Sequence, residues 1–262
     1  MDKPAKKHPK RPAAGNTVAP GAGQWHPAAA VGIALLLFLA AQFGAGIIGG
    51  LILSLTTYGG ITLAEAWRQF LFILLAEGLT LWGLWILLAH KGLTFQTIGL
   101  RKPRWMDLAY TVGAFVAYFI FYGALLAVLS ALIPSLDIHQ KQDIGFDNVQ
   151  GIIPLIPVFI SLVILAPFTE EVLFRGFVFG NLRLRLGFWW SAAITSVIFG
   201  AAHLLGGEQG ASLLWVAGID TFVLSLALCY LRERTGRLWA SIGLHALKNG
   251  IAFVLLFIIQ GH

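Results

Sequence analysis

Long apolar stretches separated by short polar segments dominate this chain. No Lys, Arg, Asp or Glu occurs between residues 12 and 64, and the later charges recur at near-regular intervals. About 20 apolar residues cross a bilayer as a helix, and these runs lack the alternation of barrel strands. The pattern therefore predicts about seven helical spans, at roughly 29–56, 69–90, 108–133, 151–185, 188–207, 210–231 and 238–260.

The composition supports the same fold class. Hydrophobic residues make up 58% of the chain and charged residues 11%, against roughly 25% charged residues in an ordinary soluble domain. The apolar surface exceeds what one soluble core can bury, which excludes a soluble globular enzyme and a disordered chain. A single cysteine, Cys229, excludes a disulfide-stapled secreted domain. We expect an all-α, polytopic transmembrane helical bundle.

The basic residues predict the orientation in the membrane. Residues 1–27 hold five Lys and Arg among Pro, Ala and Gly, which is typical of a disordered basic cytoplasmic tail. Residues 28–262 would form the transmembrane helical domain. Most of the other basic residues fall in loops on the same side as this tail, so the positive-inside rule predicts a cytoplasmic N-terminus and an outside C-terminus. The net charge of +6 favours contact with membrane lipids over nucleic acid.

Ionisable residues within the predicted spans are functional candidates, since a charged Asp, Lys or Arg near the bilayer centre costs at least about 2.5–3.5 kcal/mol. These residues are Glu77, Glu170, Glu171, Arg175, His203, Asp220, His245 and Lys248. Asp220 at the centre of the sixth span and Lys248 in the seventh both lie near the midplane, so we expect an ion pair between them. Glu77 has no obvious partner; it either lines a cavity or is protonated in lipid.

The fourth span separates two neighbouring carboxylates. We predict one long helix that ends near Arg183 and contains Glu170 and Glu171. Glu171 and Arg175 are four residues apart, with the acid on the N-terminal side, which is the better orientation for an ion pair. Glu170 is rotated about 100° away and lacks such a partner. The spacing favours Glu170 as the chemical residue and the ion pair as its support, although a structural polar cluster would explain the same residues.

Two further spans each carry one histidine that is four residues away from another candidate residue. Phe199 and His203 share one helix face, and His245 and Asn249 share another. A lone membrane histidine is more often a packing residue, but two in separate spans beside a carboxylate in a third favour a site. At 1.5 Å per residue, Glu170, both histidines and Asn249 fall within a layer about 10 Å thick. One site below the membrane surface is therefore geometrically possible.

Three motifs in residues 170–249 resemble the CPBP family, the CAAX prenyl protease and bacteriocin-processing membrane proteases of the Abi type. The family motif EExxxR corresponds to residues 170–175, FxxxH to residues 199–203, and HxxxN to residues 245–249. Each motif is weak alone, but three in order, each within an apolar span, are specific. The resemblance places a protease motif core at about 151–260, and the first three spans carry no recognised motif.

The resemblance implies an intramembrane endopeptidase, a hydrolase of the glutamate type. Glu170 and His203 would hold and deprotonate the attacking water, while His245 and Asn249 would stabilise the oxyanion of the tetrahedral intermediate. The residues in supporting positions would be Glu171, Arg175 and Phe199, the last packing beneath His203. Amide hydrolysis in general needs an activated nucleophile, a proton donor for the amine and oxyanion donors, and this residue set supplies all three.

The family is often labelled as metalloproteases, and Glu170, His203 and His245 could make a two-His, one-carboxylate zinc site. The chain has no HExxH helix, and with all three as ligands the only nearby base would be Glu171, which already pairs with Arg175. We therefore expect no cofactor, with zinc as the alternative. The expected partner is a peptide or membrane-protein substrate, with or without a prenyl group. The expected location is the plasma membrane of a bacterium.

Two other functions fit the same residues. Buried Glu, His, Asp and Lys also form proton relays, so the chain could be a proton-coupled transporter, although no internal repeat typical of common transporters is visible. A non-proteolytic bacteriocin-immunity or scaffold membrane protein on the same fold is the other alternative, and the intact motifs argue against it. Fold resemblance alone does not decide between these functions; the chemistry of the site does.

Overall fold

The computed structural model describes residues 25–138, 140, 146, 149, 151–204 and 213–259. Within these residues the chain forms seven helices and no strand, which confirms the predicted all-α bundle. The helices are α1 (Pro27–Tyr58), α2 (Glu65–Ala89), α3 (Trp105–Leu132), α4 (Ile152–Arg183), α5 (Phe188–Ala202), α6 (Trp215–Thr235) and α7 (Trp239–Ile259). The predicted basic tail lies outside the described residues up to residue 24.

Six of these helices are long and apolar enough to cross a membrane, and α5 is a shorter apolar helix of 15 residues. The chain is therefore an integral membrane protein. α1 and α3 direct many large apolar side chains outward, among them Leu36, Phe43, Ile47, Ile120 and Leu132. Lipid tails are as apolar as these side chains, so such surfaces suit a bilayer.

Two predicted span boundaries are wrong. The fifth span was expected to reach residue 207, but α5 ends at Ala202. The sixth was expected to begin at residue 210, but α6 begins at Trp215, so Asp220 lies in its second turn and not at its centre. The intervening residues 203–214 include three glycines and one charged residue, Glu208, and glycine is a poor helix former. Residues 205–212 themselves lie outside the described residues.

α4 is one long helix, as predicted, but its hydrogen-bond register changes along its length. The segments Ile160–Leu165 and Glu171–Val178 are π-helical, and α-helical turns flank them. π-helical turns are rare and often occur at functional sites. The second segment begins at the second glutamate of the EExxxR motif, so it changes the directions of the side chains that follow.

The largest core cluster forms around α4. Its buried apolar residues include Val172, Leu173 and Phe177 of α4, with Leu84 of α2 and Phe199 of α5. The indole of Trp25, which precedes α1, packs edge-on against Phe177, with ring centroids 5.0 Å apart. α4 is thus the central helix of the bundle, and its inner side chains are shielded from lipid.

At the end of the bundle that we predict to be cytoplasmic, the connection between α2 and α3 is hydrogen-bonded to α6 and to the connection between α6 and α7. Ile98, between α2 and α3, is fully buried, and Arg232 of α6 donates to its carbonyl at 3.1 Å. The N–H of Leu238 donates to the carbonyl of Gly99 at 3.1 Å. Gly99 has a φ of +109°, and a Cβ there would lie 2.6 Å from the guanidinium carbon of Arg232, so only glycine fits. This contact fixes the start of α7.

Candidate active site

The predicted ion pair between Glu171 and Arg175 forms inside the bundle and is confirmed. Arg175 Nη1 donates to Glu171 Oε1 at 2.8 Å, and both side chains are fully buried. His245 of α7 places its Nδ1 3.1 Å from the same oxygen. When Nδ1 carries the proton it donates to this carboxylate and leaves Nε2 facing away from it. Glu171 therefore orients His245 while it neutralises Arg175.

Glu170 occupies a different environment from its neighbour. Its Oε2 lies 3.8 Å from His245 Nε2, and its side chain is 21% exposed, whereas that of Glu171 is fully buried. The helical rotation predicted from the sequence thus separates the two carboxylates into one that is ion-paired and one that is open. A general base must be within reach of the proton that it removes, and of the two only Glu170 is accessible.

The ring of Phe199 lies at the centre of the cluster. Its centroid is 4.9 Å from the ring of His203, 5.8 Å from that of His245 and 4.3 Å from the guanidinium carbon of Arg175. The position over Arg175 is a cation–π contact. His203 follows the end of α5, and its Nδ1 lies 2.9 Å from the backbone carbonyl of Phe199. Phe199 therefore packs against both histidines, and not only beneath His203.

Asn249 connects α7 to α4. Its Nδ2 donates to the backbone carbonyl of Leu162 at 2.9 Å. In the π-helical register of this segment, Ala166 donates to the carbonyl five residues earlier, on Ser161. The next donor in that register would be Pro167, which has no N–H, so the carbonyl of Leu162 is left for a side chain. Asn249 supplies this donor and retains a second amide proton.

The structure thus brings most of the predicted site residues together. Direct contacts or close ring packing join Glu170, Glu171, Arg175, Phe199, His203 and His245. Asn249 lies one turn further along α7, with one amide proton bound to α4. The arrangement contains an accessible carboxylate, an oriented imidazole and an amide donor, which are the groups that amide hydrolysis uses.

The zinc alternative required Glu170, His203 and His245 to converge on one point. Within the described part of the chain, no group of three or more His, Cys, Asp or Glu side chains could hold a metal ion. The Nδ1 of His245 is directed at Glu171, and that of His203 lies against a backbone carbonyl. Metal-bound histidines commonly make such bonds with their second nitrogen, so the spacing of the three side chains, and not these bonds, argues against a three-ligand zinc site.

The close approach of α5 and α6 was missed by the sequence reasoning. A Cβ on Gly200 would lie 2.8 Å from the carbonyl oxygen of Gly218, and one on Gly218 would lie 2.5 Å from Leu204. Small residues allow helices to approach closely in membranes. This contact sets the position of Phe199, one residue earlier, relative to α6. The one available signal was that Gly200 lies inside the FxxxH motif.

A second polar cluster holds α7 from another side. Lys248 Nζ lies 2.9 Å from Asp220 Oδ2, which confirms the predicted ion pair. The hydroxyl of Tyr118 on α3 donates to the other oxygen of Asp220, and Tyr122 stacks on Tyr118. Asn249, the next residue along the helix, is rotated about 100° from Lys248, and its side chain is bound to α4. α7 is therefore tied to α4 on one side and to α6 and α3 on another.

We expect Lys248→Met to destabilise the bundle because it leaves Asp220 with an uncompensated charge. The pair is partly exposed, so the loss should be about 1–3 kcal/mol, less than for a fully buried pair. The double variant Lys248→Met/Asp220→Asn removes both charges and should recover part of this loss. Thermal unfolding in detergent measures both effects, with Lys91→Met at an exposed position as the control. Equal losses in the single and double variants would contradict the coupling.

Comparison with known proteins agrees with the class that the fold and site define, a helical membrane protein with a hydrolase-like polar cluster. Residues 152–251 match the model of the type II CAAX prenyl endopeptidase Rce1-like family. That segment contains all three motifs and the contacts among their residues. The match confirms the resemblance to the CPBP family that the motifs predicted.

Three curated relatives are similar over parts of the chain. "Putative membrane peptidase YdiL" of Bacillus subtilis (strain 168) is 30% identical over 113 residues, 42% of this chain and 43% of that protein. "Uncharacterized protein YyaK" of the same organism is 28% identical over 61% of this chain and 50% of that protein. "Uncharacterized 24.3 kDa protein" of Escherichia coli is 38% identical over 33% of this chain and 38% of that protein. The chain therefore spans half or less of the length of these relatives, and no solved structure matches it significantly.

Proposed function

We propose that this chain is an intramembrane endopeptidase that hydrolyses a peptide bond within or beside the bilayer. One observation carries the proposal. The accessible carboxylate of Glu170 lies 3.8 Å from an imidazole, and the other nitrogen of that ring is bound to the buried, ion-paired Glu171. The match of residues 152–251 to a prenyl endopeptidase family supports the reaction class.

In this mechanism Glu170 and His203 hold the attacking water. The carboxylate of Glu170 accepts one proton as the water oxygen bonds to the carbonyl carbon of the substrate. His203 has its Nδ1 against the carbonyl of Phe199, so its Nε2 is the nitrogen left for the water. Glu170 then returns the proton to the nitrogen of the leaving amine as the C–N bond breaks. Glu170 therefore accepts and returns the same proton, and no other side chain gains or loses one.

The oxyanion that forms during attack would be stabilised from α7. Asn249 has one amide proton bound to the carbonyl of Leu162, and its second proton is available to the substrate oxygen. His245 donates from Nδ1 to Glu171, so its Nε2 can donate to the oxyanion when the ring carries two protons. Removing one such donor from an oxyanion hole typically costs about 2.7–4 kcal/mol of transition-state stabilisation.

The substrate in this proposal is a peptide or membrane protein, with or without a prenyl group, that reaches the site from the bilayer. The protein would lie in the plasma membrane of a bacterium, with its N-terminus in the cytoplasm and its C-terminus outside. The bias of Lys and Arg towards the tail and the loops on its side of the membrane supports this orientation. The relatives from Bacillus subtilis and Escherichia coli support a bacterial setting.

The proposal is tested by incubating the purified, detergent-solubilised protein with quenched fluorescent peptide libraries, one of them carrying a farnesylated cysteine. We expect cleavage that resists a strong chelator and falls at least about 100-fold in His203→Ala. His90→Ala, at an exposed position after α2, should match the wild type. Detergent solution holds no gradient, so cleavage there also separates a protease from a transporter.

Two results would contradict parts of the proposal. Activity lost to the chelator and restored by zinc would overturn the metal-free mechanism while leaving the endopeptidase assignment intact. Failure of the folded wild-type protein to cleave either library would contradict the endopeptidase assignment for these substrate classes and would favour the immunity or transporter alternatives.

A further inference from the structure

Three fully buried side chains near the candidate active site carry polar atoms that lack a hydrogen-bond partner. These atoms are the hydroxyl of Ser196 on α5, the hydroxyl of Ser225 on α6, and Nε and Nη2 of Arg175 on α4. None of them is hydrogen-bonded to any described residue. Such groups are rare in native proteins, because a buried polar atom without a partner has lost its hydrogen bonds to water and gained none. The proposed mechanism uses neither serine.

The two serines differ from the hydroxyl residues next to them. Thr195 and Thr221 each donate to the backbone carbonyl four residues earlier, at 2.8 and 2.7 Å, and Ser191 does so at 3.0 Å. A serine or threonine in a helix can satisfy its hydroxyl in this way. Within the described chain, Ser196 and Ser225 do not make this bond. Their hydroxyls are therefore available to a group outside their own helices.

Contacts on either side place the two serines opposite each other between α5 and α6. Ala192 of α5 and Cys229 of α6 belong to one buried cluster. Two turns further along α5, a Cβ on Gly200 would lie 3.1 Å from the Cβ of Phe222 on α6. Ser196 is four residues from both of its neighbours on α5, and the serine of α6 is three and four residues from its own. Residues at these spacings share one helix face, so both serines lie on the faces in contact.

Arg175 of α4 lies at the same level of the bundle. Phe179, one turn further along α4, belongs to the same buried cluster. The guanidinium carbon of Arg175 is 4.3 Å from the ring centroid of Phe199, which is three residues after Ser196. The thiol of Cys229 lies close to both Arg175 and Ser196. Three helices thus bring the unpartnered groups of one arginine and two serines into one buried layer.

We propose that a bound water molecule bridges Ser196, Ser225 and the free N–H groups of Arg175, and that the two serines are positioning residues for the active site. This inference rests on the proposed function and deepens it. A buried water forms two to four hydrogen bonds, and it can accept from a guanidinium while it exchanges bonds with hydroxyls. The charge of Arg175 is already compensated by Glu171 at 2.8 Å, so a neutral ligand suits the site.

The water would act on the reaction through a short series of contacts. It holds one side of the Arg175 guanidinium, and the other side donates to Glu171 at 2.8 Å. Glu171 in turn lies 3.1 Å from the Nδ1 of His245 and orients that ring. Without the bridge, the guanidinium can turn about its remaining bond, and the carboxylate no longer fixes the imidazole. A small misplacement of a catalytic group lowers the rate of the chemical step, so kcat should respond and KM should not.

A structure of the full-length wild-type protein in lipid, at a resolution that shows ordered waters, tests the bridge directly. We expect a water about 2.5–3.2 Å from both serine hydroxyls and from Nε or Nη2 of Arg175. Hydroxyls bonded to carbonyls of their own helices would overturn the proposal. Hydroxyls bonded directly to the guanidinium, with no water between them, would overturn it as well.

Ser196→Ala and Ser225→Ala test the positioning role. Each variant removes one hydroxyl from the bridge, so kcat should fall about 5- to 50-fold with little change in KM. Both hydroxyls act through the same water, so the double variant should lose hardly more than the more impaired single variant. Ser191→Ala is the matched control and should keep the wild-type kcat, because it removes a buried hydroxyl of α5 that is already bonded to a carbonyl.

Unchanged kcat in both single variants, or losses that multiply in the double variant, would overturn the positioning role. The position of the water is measured without any substrate, which separates this inference from the proposed function. A folded wild-type protein that cleaves no peptide would contradict the function, while the structure would still decide the water. An active wild-type protein without the bridging water would overturn only this inference.

Discussion

Replacing Glu170 by glutamine should lower kcat by about 10²–10⁴-fold, the range that one general base contributes. Glutamine has the same shape but cannot accept the proton of the attacking water. The variant should fold normally, because the side chain is 21% exposed and its contact with the imidazole of His245 is as long as 3.8 Å. Turnover of a cleaved library peptide and thermal unfolding of the same preparation would measure both effects.

Glu170→Asp refines this expectation. It keeps the carboxylate but withdraws it by one methylene from His245 and the water position, so we expect an intermediate loss of about 10- to 100-fold in kcat. The order wild type, aspartate, glutamine would indicate that charge and position both matter. A Glu170→Gln variant with wild-type kcat would show that another group removes the proton, and His203 would be the next candidate.

The membrane spans could be predicted well wherever charged residues, glycine or proline bound the apolar runs. α1, α2, α3 and α7 lie within a few residues of their predicted limits. Charged residues flank α2 and α3, whereas Pro27 and Gly59 mark the two ends of α1. The predicted end of α5 and the predicted start of α6 were wrong because the glycine-rich segment between these helices carries almost no charge. Hydropathy alone therefore extended both spans across residues whose local chemistry disfavours a helix.

The local pairs of the site could be predicted from spacing, but the contacts between helices could not. Glu171 and Arg175 lie on one helix face whatever the neighbours are. The hydrogen bond from His245 to Glu171 depends on how α7 is rotated against α4, and an isolated sequence does not specify that rotation. The π-helical segments of α4 change the directions of its side chains further.

Arg175→Met should be the most destabilising substitution in the site. Arg175 is fully buried, donates to Glu171 and lies over the ring of Phe199. Removing one partner of a buried ion pair typically costs about 3–5 kcal/mol because the other charge is left uncompensated. Arg183→Met is the matched control on the same helix, since its pair with Glu233 is partly exposed like that of Lys248 with Asp220 and should contribute about 1–3 kcal/mol. Chemical unfolding in detergent would compare them.

The double variant Glu171→Gln/Arg175→Met tests whether the loss comes from the unpaired charge. Both charges are then absent, so the double variant should be more stable than the two single losses combined predict, by about 0.5–3 kcal/mol. Strictly additive losses would show that Arg175 acts through packing on Phe199 and not through Glu171. Activity should stay low even if stability returns, because the Nδ1 of His245 then faces a neutral amide and not the carboxylate that orients it. A folded but inactive double variant would therefore separate the stabilising role of the ion pair from its role in orienting His245.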